Sequence, residues 1–172
     1  RQGGETKIGV ESTVVDLTTH PPMLLRPGGL ALEEIKKVIG KVNVHPAVKG
    51  RPIKLAKAPG MKYKHYAPEA QVIVIEGERE QVTKKIKELI KDYKKQKIRV
   101  GVMATGDFYE ADAYFNIGEN EEEIARNLFK ALRELDKSGV NVILAEGIEE
   151  RGLGLAVMNR LKKAAGYRII KV

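Results

Sequence analysis

The sequence contains no cysteine, which excludes disulfides, thiol catalysis and Cys-ligated metal. Its three histidines, His20, His45 and His65, are scattered at spacings that suit no zinc site, and no metal ligand set is predicted. No apolar run nears the roughly 20 residues that cross a bilayer, and no signal-peptide pattern opens the chain. A soluble, cytoplasmic protein is the expectation. Internal repeats and low-complexity tracts are missing, and so are a Gly-rich phosphate loop and a Walker lysine, which leaves a nucleotide-hydrolysing domain poorly supported. The chain opens on Arg1, not Met, and runs towards a strand with no partner element before it, so an upstream part is expected to precede it. Acid is scarce in one region only. Residues 1–68 carry 12 Lys/Arg against 5 Asp/Glu, whereas residues 69–172 carry 19 against 18.

The 172 residues, 42% hydrophobic and 31% charged, are enough for one good core or two small ones. The net charge of +8 belongs mostly to the first part, and a field of that sign suits a polyphosphate or nucleic-acid partner. A solvated Lys-rich loop is the plainer alternative. The charge peaks in "RPIKLAKAPGMKYKHYAPEA", where Lys49, Arg51, Lys54, Lys57, Lys62 and Lys64 follow one another with no acid between Lys49 and His65. Pro46, Pro52, Pro59 and Pro68 punctuate the same stretch, forbidding helix interiors and stiffening its path.

Periodicity divides the rest. "IGVESTVVDL" (8–17) and "MLLR" (23–26) read as two strands of a hairpin. "LALEEIKKVIG" (30–40) reads as a helix with Leu32, Ile35, Val38 and Ile39 on one face and Gly40 as its stop. From Gln71, buried-type strands "QVIVI" (71–75), "IRVGVMA" (98–104), "AYFNI" (113–117), "VNVILAE" (140–146) and "YRIIKV" (167–172) alternate with helical stretches. Val82, Ile86, Leu89, Ile90 and Tyr93 stripe the first helix. Ile124, Leu128, Leu132 and Leu135 stripe the second, behind an Asn120 cap with Glu123 as its reciprocal partner. The fold class expected is α/β: a three-layer, Rossmann-like domain with a mostly parallel sheet, preceded by a β-rich remnant and an extended linker.

Four places could carry chemistry. Ser12 and Thr13 in "GVESTVVD" offer hydroxyls beside a strand, able to hold a carboxylate or phosphate, or they are ordinary strand residues. Arg26 ends an apolar strand just before "PGG", where a planar guanidinium can grip a phosphate with two hydrogen bonds, or it is a surface arginine. In "MKYKHYAP", Tyr63 and Tyr66 interleave with Lys62, Lys64 and His65, as a stacking and charge platform or as an anchor for the linker. In "ERGLGLAVMNRLKKAA", Val157 fills the third-glycine position of a dinucleotide loop, so that fingerprint fails. Gly152 and Gly154 there read as a close-packed loop-to-helix junction, with Asn159 and Arg160 facing another part of the molecule. The acids Glu119, Glu121, Glu122 and Glu123 read as favourable charge at a helix start, not as paired catalytic carboxylates.

Taken together, "GVESTVVDLT", "LLRPGG", "APGMKYKHYAP" and "ERGLGLAVMNRLKKAA" resemble the long, two-domain form of the L-threonylcarbamoyladenylate synthases in the YrdC-like family, over essentially the whole chain. The resemblance implies that residues 1–45 end a catalytic domain, that 46–68 form a linker crossing its active site as a lid, and that 69–172 form an accessory domain. It implies a nucleotidyltransferase that makes threonylcarbamoyl-AMP and pyrophosphate from ATP, L-threonine and bicarbonate, with Mg²⁺ accompanying ATP. Its product would pass to proteins that build N6-threonylcarbamoyladenosine in tRNA. Carried over by motif, Ser12 is a threonine-binding residue and Arg26 and Tyr66 are ATP-binding. Thr13, Lys62, Lys64 and His65 are further candidates. The family's Lys-x-Arg element and downstream Ser-x-Asn do not occur here, and "KGR" at Lys49 to Arg51 is not that element, so no catalytic residue is assigned and this chain alone is expected to be inactive. The alternative from another class is a noncatalytic α/β binding module whose basic arm contacts tRNA or a protein partner.

Overall fold

The computed structural model describes residues 9–49, 68–106 and 108–172. Two sheets organise them. The smaller has β1 (Val14–Asp16), β2 (Met23–Arg26) and β3 (Asn43–Val44) in the order β1-β2-β3. β1 and β2 form the expected antiparallel hairpin, with Val14 opposite Arg26 and a bulge between Val14 and Val15. The first strand is shorter than residues 8–17, because residues 11–13 lie against the turn after β2 and leave the ladder. Asp16 Oδ1 accepts from the amide and hydroxyl of Thr18 at 2.9 and 2.6 Å, an Asx-turn that starts the reversal.

Helix α1 (Leu32–Ile39) returns the chain to β3, which pairs parallel with β2. Ile35 is buried with Leu24, Val42 and Val48, but Val38 and Ile39 are 84% and 42% exposed. The predicted four-residue apolar face is therefore covered only at its N-terminal half, since this sheet is too small to reach the last turn. Pro46–Lys49, read as the opening of the linker, form a 3-10 turn whose Ala47 and Val48 are buried. Proline suits its first position, where no amide donor is needed.

The larger sheet contains β4 (Gln71–Glu76), β5 (Val100–Ala104), β6 (Ala113–Asn116), β7 (Val142–Glu146) and β8 (Ile169–Lys171), ordered β6-β5-β7-β4-β8. Every pairing in it is parallel. β5 and β7 are buried along their whole lengths, as parallel strands covered on both faces must be. One face packs Ile73, Ile75, Val102 and Leu144 under Val82, Ile86 and Ile90 of α2 (Arg79–Lys95). The other packs Val72, Val74, Met103 and Ile143 under α3 (Glu121–Lys137) and α4 (Leu153–Ala164), through Leu128, Leu132, Val157 and Leu161. Each such aliphatic side chain contributes about 1.5–3 kcal/mol on burial, so the three-layer α/β arrangement expected from the alternation is what these runs stabilise.

Asn120 caps α3 by accepting from Glu123 N at 3.0 Å. The capping box is not reciprocal as predicted, because the Glu123 carboxylate accepts from Glu119 N at 3.1 Å instead. Glu121 in the same turn accepts from Leu153 N at 3.1 Å and so caps α4. That helix start comes so close that a Cβ on Gly152 would sit 2.4 Å from Glu121 Oε2, which is the close packing its glycine was read to permit. Among the described residues, no helix is long and apolar enough to cross a membrane.

The two sheets meet through α3 and α4. Gly9, at φ +66°, lies so near α3 that an added Cβ would be 2.4 Å from Ala125 O. Val10 packs on the α3/α4 core and Leu155 of α4 packs into the small-sheet core. Asn159 Nδ2 donates to Val48 O at 3.1 Å in a buried position.

Candidate functional site

The site grows from the end of β2. The chain leaves β2 through Pro27 and Gly28 and bends at Gly29 and Leu30, and Gly28 lies flat on residues 11–13. A Cβ there would fall 2.1 Å from Glu11 O and 2.4 Å from both Ser12 C and Thr13 N. Gly29 N donates to Glu11 O at 2.9 Å, while the Thr13 hydroxyl donates to Leu30 O at 2.7 Å and accepts from Leu30 N at 3.1 Å. "GVEST" and "LLRPGG" are thus locked side by side by backbone contacts. Thr13 spends its hydroxyl on that lock, whereas Ser12 is exposed and its hydroxyl has no partner among the described residues.

Arg26 Nε donates to Ser12 O at 3.0 Å and stands 3.7 Å from Glu11 Oε2. The other oxygen of the same carboxylate, Glu11 Oε1, pairs with Arg160 of α4 at 2.5 Å. Arg160 in turn lies over the Phe129 ring of α3, its guanidinium carbon 4.6 Å from the ring centroid, a cation–π arrangement. Ser12, Thr13 and Arg26 are therefore brought together, and Asn159 and Arg160 face the small-sheet unit as the sequence suggested. Lys62, Lys64, His65 and Tyr66 lie outside the described residues. Glu11, Phe129 and Lys163 were missed. Glu11 carried one signal, being an acid inside a motif of the acid-poor part.

Two lysines follow Arg160 on α4, and their environments differ. Burial pulls Lys162 down, but the Glu150 and Glu76 carboxylates, which accept from its ammonium and attract its charge, outweigh burial and hold its pKa above the ordinary lysine value. For Lys163, burial dominates: with Glu11 raising it and Arg160 and Arg26 lowering it, the ammonium is pushed down to about 8. Between about 8 and the ordinary 10.5 the unfolded chain holds this proton and the folded one does not, so its contribution to stability rises with pH across that window. Replacing Lys163 with Met is accordingly expected to stabilise the protein by about 1–2 kcal/mol below pH 8, after allowing for hydration of the ammonium. The advantage should fade by about pH 10.5; paired thermal melts at pH 7 and pH 10 check this, and an advantage that grew with pH would contradict it.

A second concavity, of about 460 Å³, sits at the carboxyl ends of the larger sheet, lined by Arg79, Thr105, Glu119, Glu121, Glu146 and Glu149 among others. Ligands often bind at this place in parallel α/β sheets. Here four carboxylates outnumber one arginine, which repels a polyphosphate. Glu146 is also occupied, accepting from Thr105 N at 2.7 Å and from Tyr109 Oη at 2.5 Å.

Residues 30–166 match the family model described as threonylcarbamoyl-AMP synthase, C-terminal domain. The chain belongs to this family. A Pyrococcus abyssi protein named threonylcarbamoyl-AMP synthase is 66% identical over 170 residues, covering 99% of this chain and 50% of that protein. A Bacillus subtilis protein of the same name is 43% identical over 174 residues, covering 98% of this chain and 49% of that one. The chain thus spans about half the length of the curated relatives it matches. Among solved structures, P. abyssi Sua5 complexed with L-threonine superposes with a TM-score of 0.94 at 66% identity, over 99% of this chain and 50% of that one. Of the four motifs that carry the synthase resemblance, "GVESTVVDLT", "LLRPGG" and "ERGLGLAVMNRLKKAA" supply the residues that meet around Glu11, while "APGMKYKHYAP" lies almost entirely outside the described residues.

Among the described residues, no group of three His, Asp or Glu could hold a metal. The Glu11 carboxylate is already shared by two arginines.

Proposed function

We propose that this chain is the C-terminal half of an enzyme that condenses ATP, L-threonine and bicarbonate into threonylcarbamoyl-AMP and pyrophosphate, and that it supplies one wall of the substrate site. The observation that carries the reading is the Arg26 guanidinium, tied through Nε to Ser12 O and to Glu11 at the end of a rigid strand. An oriented guanidinium is suited to a phosphate oxygen, and its charge opposes the negative charge that grows on pyrophosphate as the bond to the α-phosphorus breaks. The exposed Ser12 hydroxyl beside it can donate to the threonine carboxylate. Tyr66 is assigned to the nucleotide on sequence alone. The product, a mixed anhydride of a carbamate and AMP, is consumed by proteins that transfer the threonylcarbamoyl group to adenosine in tRNA.

The intact protein is expected to release pyrophosphate only when ATP, threonine and bicarbonate are all present. The 172-residue chain by itself is expected to release none, since the Lys-x-Arg and Ser-x-Asn elements lie outside it. Release by the isolated chain would move the catalytic groups into these residues. No release by the intact protein would overturn the synthase reading and leave an α/β module with a basic arm, to be assayed against tRNA.

A further inference from the structure

The charges around Glu11 alternate across the junction between the two sheets. Arg26 belongs to the small sheet, Glu11 to the segment laid against it, and Arg160 to α4 of the larger unit. The Glu11 carboxylate is divided unequally: Arg160 holds one oxygen at 2.5 Å, and Arg26 Nε stands 3.7 Å from the other. Arg160 is itself fixed, with a side chain 13% exposed and its guanidinium on Phe129. The backbone under Glu11 is fixed as well, by Gly29 N and by the contact with Gly28.

We propose that Arg160, acting through Glu11, is a positioning residue for Arg26, so that the accessory domain sets the orientation of the arginine that grips the nucleotide. The inference rests on the reading of Arg26 as a phosphate ligand given above. A long arginine side chain has rotamer freedom to lose on binding, and a guanidinium held at Nε has its plane set before the anion arrives. Without Arg160 the carboxylate is anchored from one side only. It can then turn onto Arg26 as a closer ion pair, draw the guanidinium off its line and compete with phosphate for it. The same three groups act together on the neighbouring Lys163 ammonium, which the Glu11 charge favours and the Arg160 and Arg26 charges oppose.

A double-mutant cycle on the intact protein tests this, with threonine- and bicarbonate-dependent pyrophosphate release as the readout. Arg160→Ala is expected to raise the KM for ATP about tenfold while kcat and the KM for threonine stay within about twofold. In an Arg26→Ala background the same change should add nothing, the non-additivity of residues acting on one element. Arg160→Lys, which keeps the charge but loses the planar stack, should recover part of the loss. Glu11→Gln, close in shape, should raise the ATP KM as Arg160→Ala does without lowering Tm by more than a few degrees, which separates positioning from folding. An unchanged ATP KM in Arg160→Ala, or an equal rise in both backgrounds, would overturn the inference alone. An unchanged ATP KM in Arg26→Ala itself would overturn the reading of Arg26, and this inference with it.

Discussion

Gly28→Ala is expected to lower kcat/KM for ATP in the intact protein by at least about 100-fold, because a small displacement of positioning groups is enough for a loss of that size. The Cβ would meet Glu11 O at 2.1 Å and Ser12 C and Thr13 N at 2.4 Å. All three are backbone atoms, so no side chain can swing aside. Relief requires residues 27–29 and 11–13 to separate, which breaks the hydrogen bond from Gly29 N to Glu11 O and strains the two hydrogen bonds between Thr13 and Leu30. Arg26 Nε then loses both Ser12 O and Glu11. Overlap of this kind also costs stability, about 2–4 kcal/mol, so kinetics should be read below the shifted melting transition. Wild-type kcat/KM in this variant would show that the two motifs need not touch.

Lys162→Ala carries the second large effect, on stability. The Lys162 ammonium lies under α4 with 9% of its side chain exposed, paired with Glu150 and standing 2.9 Å from Glu76 Oε1. It ties the helix to the end of β4 and to the loop that precedes it. Removing the cation leaves the Glu76 carboxylate, 19% exposed, without its counter-charge at the carboxyl end of β4. Breaking one partner of a buried pair costs about 3–5 kcal/mol, and partial hydration here brings that to about 3. The expected fall in Tm is roughly 6–12 °C. Adding Glu76→Gln should recover about half, because much of the loss is the penalty of the stranded charge. Because the Lys162 pKa is raised above 10.5, its stabilising contribution is complete throughout the neutral range and fades only as the pH climbs past that value. A single variant with unaltered Tm would mean that water already solvates Glu76.

The larger unit was the more legible part of the molecule. The runs at Gln71, Val100 and Val142 are apolar without alternation, which only a strand covered on both faces requires. The α3 stripe and its Asn120 cap are equally local signals. β3 was not foreseen, since two residues, Asn43 and Val44, carry no period and pair only because α1 returns the chain beside β2. The exposed Val38 and Ile39 mark the opposite failure, where a correct helical period met a sheet too small to cover it. At the site, Arg26 could be singled out because it stands before a Pro-Gly turn. Glu11 could not, because its role depends on Arg160, a residue near the other end of the chain that only the docking of α4 brings within 2.5 Å. Lys163 is similar: its sequence neighbours are unremarkable for an exposed helix, and its lowered pKa comes from burial at the junction.

The most direct test of the account is the ATP dependence of threonine- and bicarbonate-dependent pyrophosphate release, measured on the intact protein and on its Arg26→Ala variant. A guanidinium that binds phosphate in both ground and transition states should, when removed, raise the KM for ATP at least about tenfold and leave the KM for threonine near its original value. Equal ATP dependence in the two proteins would contradict a nucleotide site built on the end of β2.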